Sequence, residues 1–207
     1  MHSLSLLLAL SPLVDALATP SPYTGLTPRI ITLPSGTSAT IYENPSLTFH
    51  KIREENTHLN KRLQYTTYAN PADGRNDYCG EWNTVVTGGE SAPLATDCKA
   101  IALAYTRSTP LGDNGALGYW VIEAADFAAA PAGYVTLAAS GTCKFAVKIN
   151  SPQPLQRALF GANDLRFYTN SAVGSAVGGR VDATGSVSCF NGTNGFFIST
   201  GFRISHV

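Results

Sequence analysis

Apolar residues repeat with two different periods along residues 78–204, and each period predicts its own kind of element. Helical spacing predicts two helices, one beginning at 91–93 and one spanning 163–177. Strand composition or alternation predicts five strands, over 78–87, 118–124, 134–149, 180–190 and 196–204. The order βαββαββ predicts an α+β fold, with two helices packed on one face of an antiparallel sheet.

The apolar stripes also indicate which side chains face the core. In the first helix the stripe consists of Leu94, Cys98, Ile101, Ala102 and Tyr105, so Cys98 is expected to point inward. In the long strand 134–149, one face carries Cys143, Phe145, Val147 and Ile149. The second helix is expected to be capped by Asn163 and to carry Leu165, Tyr168, Ala172 and Ala176.

The first 18 residues have the pattern of a cleavable signal peptide. Leu4 to Leu10 is almost unbroken apolar, and the small residues Ala16 and Ala18 are of the kind that signal peptidase accepts, so cleavage is expected after Ala18. Pro12 and Asp15 interrupt the stretch before it reaches the roughly 20 apolar residues that span a bilayer. The sequence therefore predicts a secreted, extracellular protein without a membrane anchor.

Residues 19–62 differ in composition from the rest, with five prolines, no cysteine and a charged run over 50–62. Such a segment is expected to bury too little apolar surface to offset its chain entropy. It ends in Lys61-Arg62, a dibasic pair of the kind that kexin-type processing proteases cut. The segment is therefore expected to be a pro-segment, removed to leave a product that begins at Leu63, or else an uncleaved disordered linker. Residues 63–207 have the size of one domain.

The cysteine count predicts disulfides rather than a metal site. All four cysteines lie in residues 63–207, at Cys79, Cys98, Cys143 and Cys189. An even number in a secreted chain indicates two disulfides, for which three connectivities exist. A zinc site is not expected, because no two cysteines are closer than 19 residues and His206 is the last histidine left. No cofactor is expected either.

The candidate catalytic residues are few. His206 lies next to the C-terminus, where no surrounding structure is expected to hold an imidazole for nucleophilic catalysis. Glu81, Glu123 and Asp126 would be the carboxylates of a glycoside hydrolase, but the sequence does not bring them together, and a solvated surface is the simpler interpretation. The protein is therefore expected not to be an enzyme. Nine Lys and Arg against ten Asp and Glu in residues 63–207 leave no basic stripe for nucleic acid.

Two further features suggest surface chemistry. Trp82, Trp120 and Tyr119 are the candidates for a planar row of exposed aromatics, as in a cell-wall or carbohydrate-binding module, although packing in the core is the competing interpretation. Asn191-Gly192-Thr193 is a glycosylation sequon in the loop expected between the last two strands, so Asn191 is the candidate acceptor of a glycan.

A series of short motifs around the cysteines resembles a known family. The motifs are Tyr78-Cys79-Gly80, Ser91-Ala92-Pro93-Leu94-Ala95-Thr96-Asp97-Cys98, an isolated Trp120, Gly141-Thr142-Cys143-Lys144-Phe145-Ala146-Val147, Gly161-Ala162-Asn163-Asp164-Leu165 and Gly185-Ser186-Val187-Ser188-Cys189. The series is similar to the fungal effector family named for the second extracellular protein of a tomato leaf-mould pathogen, also known as the necrosis-inducing factor domain. The resemblance covers about residues 77–204.

The resemblance implies a secreted, non-enzymatic effector or toxin-like virulence protein. Such a protein would bind a host-plant or competitor protein or cell-surface component and, in some members, trigger necrosis. The family is more distantly similar to killer toxins, which implies a killer-toxin-like sandwich. It supplies the four cysteines as structural staples and no catalytic residue. We expect a monomer with no nucleic-acid partner, whose target the sequence does not name.

The predicted elements favour one of the three disulfide pairings. Cys98 faces inward from the first helix and Cys143 lies on the core face of the strand that this helix is expected to cover. Cys79 begins the first strand, and Cys189 ends the strand before the final hairpin. We therefore predict a Cys98–Cys143 bridge that pins the helix to the sheet and a Cys79–Cys189 bridge that ties the start of the domain to its end.

Overall fold

The computed structural model describes residues 21–51, 78–106, 118–150, 157–191 and 197–207. The predicted signal peptide with Ala18, the Lys61-Arg62 pair and the sequon residues Gly192 and Thr193 lie outside these ranges. The strands are β1 Thr27–Thr32, β2 Ser38–Glu43, β3 Thr48–Lys51, β4 Cys79–Thr87, β5 Gly118–Glu123, β6 Val135–Ser140, β7 Cys143–Ile149, β8 Arg157–Gly161, β9 Asp182–Phe190 and β10 Phe197–His206. The α-helices are α1 Ala95–Ala104, α2 Ala124–Ala129 and α3 Ala162–Gly174.

The strands form two antiparallel sheets, which confirms the predicted α+β class. The large sheet has the order β1-β2-β6-β7-β10-β9-β4, and the small sheet has the order β3-β5-β8. Helix α1 packs on α3 and contacts β6 and β7, while α3 also contacts β5 and β8. The structure thus has a second sheet and an additional short helix, α2, beyond the predicted pattern.

An aromatic core fills the space between the two sheets and the helices. The rings of Phe145 and Phe202, on neighbouring strands β7 and β10, are nearly parallel with centroids 5.8 Å apart. Tyr168 from α3 stacks on Phe202 at 4.9 Å, and Phe160 from β8 approaches Phe145 at 5.6 Å. Large rings bury much apolar area, so this cluster joins α3 and both sheets in one core.

The predicted inward faces are confirmed for the first helix and for the second half of the long strand. Cys98, Ile101, Ala102 and Tyr105 are buried, whereas Leu94, at the start of α1, is partly exposed. The run predicted as one strand over 134–149 is instead two strands, β6 and β7, because a turn interrupts it. Gly141 in that turn has a φ of 52°, a left-handed conformation that glycine adopts readily.

The start of the second helix also differs from the prediction. Helix α3 has Gly161 rather than Asn163 at its N-cap position. The side chain of Asp164, three residues later, accepts the Gly161 backbone N–H at 2.9 Å, so the aspartate satisfies the end of the helix. Leu165, Tyr168 and Ala172 are buried as predicted.

Residues 21–51 form part of the fold, in contrast to the expectation of a disordered linker. Strands β1 and β2 form one end of the large sheet, where β2 pairs with β6, and β3 is an edge strand of the small sheet, where it pairs with β5. Ile31, Ile41 and Leu47 are buried. A segment with few apolar residues is ordered here because it buries them against a core that residues 78–207 supply. Cleavage after Arg62 stays a prediction.

Candidate functional site

The two most specific family-like motifs meet at the first disulfide. Cys98 on α1 is bonded to Cys143 at the start of β7, with Cα atoms 5.2 Å apart, which is the pairing expected from the predicted elements. The residues just before the two cysteines also interact. Asp97 Oδ2 accepts the backbone N–H and the hydroxyl of Thr142, each at 2.7 Å. The hydroxyl oxygen of Thr142 in turn accepts the N–H of Leu94 at 2.8 Å, which fastens the start of α1 to the turn between β6 and β7.

The second disulfide has a similar arrangement. Cys79 and Cys189 are direct partners of β4 and β9, and their Cα atoms lie 4.0 Å apart. Buried Asp164 accepts the N–H of Tyr78 at 2.9 Å, with the same oxygen that accepts the N–H of Gly161. The Tyr168 hydroxyl donates to the Gly80 carbonyl at 3.0 Å. Each disulfide is thus accompanied by an aspartate that accepts a backbone N–H from the neighbouring motif.

The candidate catalytic residues do not converge on a reactive centre. Glu123 and Asp126 do lie together, but as the capping box of α2, in which Glu123 N–H donates to Asp126 Oδ2 at 2.8 Å. Their spacing of three residues was the signal for this role. His206 is exposed, with its Nδ1 3.0 Å from the carbonyl oxygen of Val207. The Glu81 side chain lies outside what the structure describes. In the described ranges, no three His, Cys, Asp or Glu residues are grouped so that they would hold a metal ion.

The three aromatic candidates do not form a planar row. Trp120 is only 4% exposed and packs in the core between Phe49 and Tyr105, at centroid distances of 4.9 and 5.4 Å. Its ring is therefore not available to stack on a sugar. Trp82 and Tyr119 are half-buried, and they belong to two separate groups of rings.

These two groups form a partly exposed aromatic surface, which we define as His50, Tyr78, Trp82, Tyr119 and Phe167. Tyr119 lies between His50 at 5.2 Å and Tyr78 at 4.5 Å, and Trp82 meets Phe167 edge-on at 5.7 Å. Shortly before Trp82 in the sequence, Tyr78 and Gly80 are held to α3 by hydrogen bonds with Asp164 and Tyr168.

Three members of this surface could not be recognised from the sequence pattern alone. Phe167 is 38% exposed on α3, on the side opposite the buried stripe. A phenylalanine on the polar side of a helix was the available signal for it. Tyr78 lies next to Cys79, so in the sequence it is recognised only as one residue of a family-like motif. His50 was assigned to a removable segment, although it stacks on Tyr119 from strand β3.

The phenol of Tyr78 is held in its neutral form. Burial raises the pKa of this group well above its usual value, and the neighbouring Tyr119 and the carboxylate of Asp164 raise it further. A neutral phenol packed against Tyr119 leaves this part of the surface apolar rather than charged.

The sequon asparagine lies at the end of β9. Asn191 is partly exposed, and its backbone carbonyl accepts Arg157 Nε at 2.9 Å. This places its side chain two residues beyond Cys189, near the end of the large sheet. Glycosylation of Asn191 stays a prediction.

Comparison with known proteins agrees with the arrangement of motifs and disulfides. The model of the Hce2 family, described as a pathogen effector and putative necrosis-inducing factor, matches residues 78–189. No curated protein matches the chain. The match begins at Tyr78 and ends at Cys189, so it contains both disulfides and both aspartate contacts, and it covers more than half of the sequence. This chain belongs to the Hce2 family of pathogen effectors.

Proposed function

We propose that this effector acts by binding a protein or cell-surface component of a host plant or competing organism, and that it catalyses no reaction. Membership of the effector family and the two disulfides are consistent with a secreted protein. The structure also has no helix, in its described ranges, that is long and apolar enough to cross a membrane.

The proposed absence of catalysis is supported by the structural roles of four carboxylates. Asp97 and Asp164 accept backbone N–H groups from neighbouring motifs, and Asp126 caps α2. Glu43 accepts the hydroxyl of buried Tyr105 at 2.8 Å. A general acid or base must be free to exchange a proton with a substrate. These side chains instead hold parts of the fold.

The aromatic surface is the proposed contact area, and the pair of Trp82 and Phe167 is the observation that carries this assignment. Aromatic side chains supply much of the binding energy of protein interfaces because they bury a large area with few rotatable bonds. Phe167 keeps 38% of its surface exposed although it packs edge-on against Trp82. A partly exposed pair of packed rings has the form of an interface anchor.

Leaf infiltration with the purified protein tests this proposal. The wild-type protein is expected to cause cell death, and Phe167→Ala is expected to weaken the response. Ile30→Ala is the matched control, since Ile30 is 76% exposed on β1 at the opposite edge of the large sheet. Equal responses from Phe167→Ala and wild type would assign the contact to another surface.

Two further results would reject the proposed mode of action itself. One is a measured turnover that Glu123→Gln, Glu81→Gln or His206→Ala abolishes while the fold is kept, which would make the protein an enzyme. The other is retention on chitin, cellulose or β-glucan that Trp82→Ala removes, which would favour a carbohydrate-binding module.

A further inference from the structure

Strand β3 fits the edge of the small sheet closely. Its four residues pair with β5 from Thr48 opposite Val121 to Lys51 opposite Gly118. Phe49 lies opposite Trp120 and meets its ring edge-on. A Cβ atom on Gly118 would overlap the Phe49 ring, so the glycine provides the space that this ring occupies. The edge of β5 is therefore shaped to receive Phe49.

Strand β2 and the residues around it attach at a second place, on strand β6 of the large sheet. Tyr42 and Glu43 pair with Ala139 and Ala138 of β6, and Ile41 is fully buried. The Glu43 carboxylate accepts the hydroxyl of Tyr105, whose side chain is itself buried.

Two more hydrogen bonds fasten the segment. Asn44 Nδ2 donates to the Thr136 carbonyl at 3.2 Å. The Tyr23 hydroxyl donates to the carbonyl of Gly141, in the turn that carries the first disulfide. Residues 21–51 thus contact both sheets, the end of α1 and the turn between β6 and β7.

All of these contacts are non-covalent. Residues 19–62 contain no cysteine, and both disulfides join residues from 79 onwards. The family match also begins only at residue 78. If the chain is cut at Lys61-Arg62, the contacts described above are what hold residues 21–51 in place.

We propose that residues 21–51 are a strand donor that stays docked on the effector domain after such a cut, so that the processed effector is a non-covalent complex of two chains. The acceptor surface consists of the edges of β5 and β6 that β3 and β2 cover, together with Trp120, which Phe49 contacts, and Tyr105, which donates to Glu43. The mode of attachment is β-augmentation, in which main-chain hydrogen bonds give affinity and side-chain pockets give register. Departure of the donor would expose two strand edges, which are prone to pair with other chains.

The docked segment also completes the aromatic surface. His50 of β3 stacks on Tyr119, and a departing segment would take this ring with it. Retention of the donor therefore keeps the surface of the processed protein the same as that of the uncut chain.

Cleavage of the purified full-length protein with a kexin-type protease tests the proposal. Denaturing mass spectrometry is expected to show two chains, and size-exclusion chromatography with native mass spectrometry is expected to show them together in a one-to-one complex. A second protein, with the recognition site of a sequence-specific protease inserted between Arg62 and Leu63, ensures that the link is cut. Separate elution of the two cleaved chains, from either the wild-type protein or the protein with the inserted site, would overturn the proposal.

Two variants identify the contacts responsible. Phe49→Ala removes the ring above Gly118 and is expected to weaken retention of the small chain by roughly ten- to 100-fold, since the ring is half-buried. Ile30→Ala changes an exposed residue of the same segment and is expected to leave retention unchanged. If Phe49→Ala is not secreted, Phe49→Leu takes its place with a smaller expected loss. Equal retention by the Phe49 and Ile30 variants would contradict the acceptor surface.

Discussion

Replacement of Asp97 by alanine is expected to destabilise the domain without touching the disulfide beside it. The Asp97 carboxylate accepts both the N–H and the hydroxyl of Thr142 at 2.7 Å. Removal of this carboxylate leaves the backbone N–H of Thr142 without its acceptor. Thr142 is half-buried and directly precedes Cys143 of the Cys98–Cys143 bridge. The start of α1 then loses a carboxylate that favours the positive end of the helix.

The size of the effect follows from these two hydrogen bonds. A hydrogen bond to a charged group contributes about 1.5–3 kcal/mol to stability. Asp97 retains part of its contact with water, so we expect a total loss of about 2–4 kcal/mol from Asp97→Ala. With a urea dependence of about 2 kcal/mol per molar, the middle of the usual range, the unfolding midpoint would fall by roughly 1–2 M.

Urea unfolding followed by tryptophan fluorescence measures this loss. Glu90→Gln is the control, because Glu90 is an exposed acidic residue shortly before the same helix. A cycle of Asp97→Ala, Thr142→Val and the double variant is expected to show a coupling of about 0.5–3 kcal/mol. An Asp97→Ala midpoint equal to that of wild type would show that the contact between the two motifs does not stabilise the fold, and strictly additive variants would show that the hydroxyl of Thr142 contributes nothing to it.

Three other predictions concern the disulfides, alkaline pH and the helix cap. Cys98→Ala opens a bridge between residues 45 apart and is expected to cost about 4 kcal/mol, and non-reducing peptide mapping that links Cys79 to Cys98 would contradict the pairing. Burial raises the pKa of Tyr78 and Tyr105, so both stay neutral in the fold while an unfolded tyrosine ionises near pH 10. The free energy of unfolding should therefore be constant below about pH 10 and should fall above it by up to about 1.4 kcal/mol per pH unit for each tyrosine. Urea midpoints measured between pH 9 and 11 would show this fall, and a flat profile would contradict the raised pKa values. Asp126→Ala removes the carboxylate that accepts the Glu123 N–H at the start of α2 and is expected to lower stability by about 0.5–2 kcal/mol, and an unchanged melting temperature would argue against the capping role.

The elements that the sequence predicted well are those with a long, regular pattern. The stripe of α1 and the alternation of β7 identified Cys98 and Cys143 as inward-facing. Helix α2 and strand β8 were missed because they have only six and five residues, and they lack the aromatic and β-branched run by which the equally short β5 was recognised. The break between β6 and β7 was missed because Gly141 and Thr142 form a two-residue turn inside an otherwise strand-like run.

The sequence did not predict that residues 21–51 are folded, and the reason is different. Composition measures whether a segment can fold by itself, whereas Ile41 is buried against residues distant in the sequence. The same limit applies to the aromatic surface. Phe167 and Tyr119 come together with their neighbours only through α3 and β5, whose relative position no local pattern specifies.

The motifs that place this chain in its family are largely structural. Asp97, Thr142 and Asp164 accept or donate the hydrogen bonds that accompany the two disulfides, so they specify a scaffold rather than a target. A residue that recognises a target must instead reach solvent, as Phe167 does on the far side of α3 from the core. Two members of one effector family can therefore share every one of these scaffold contacts and still bind different components. On the binding function proposed here, the exposed rings rather than the family motifs are where a target would make contact.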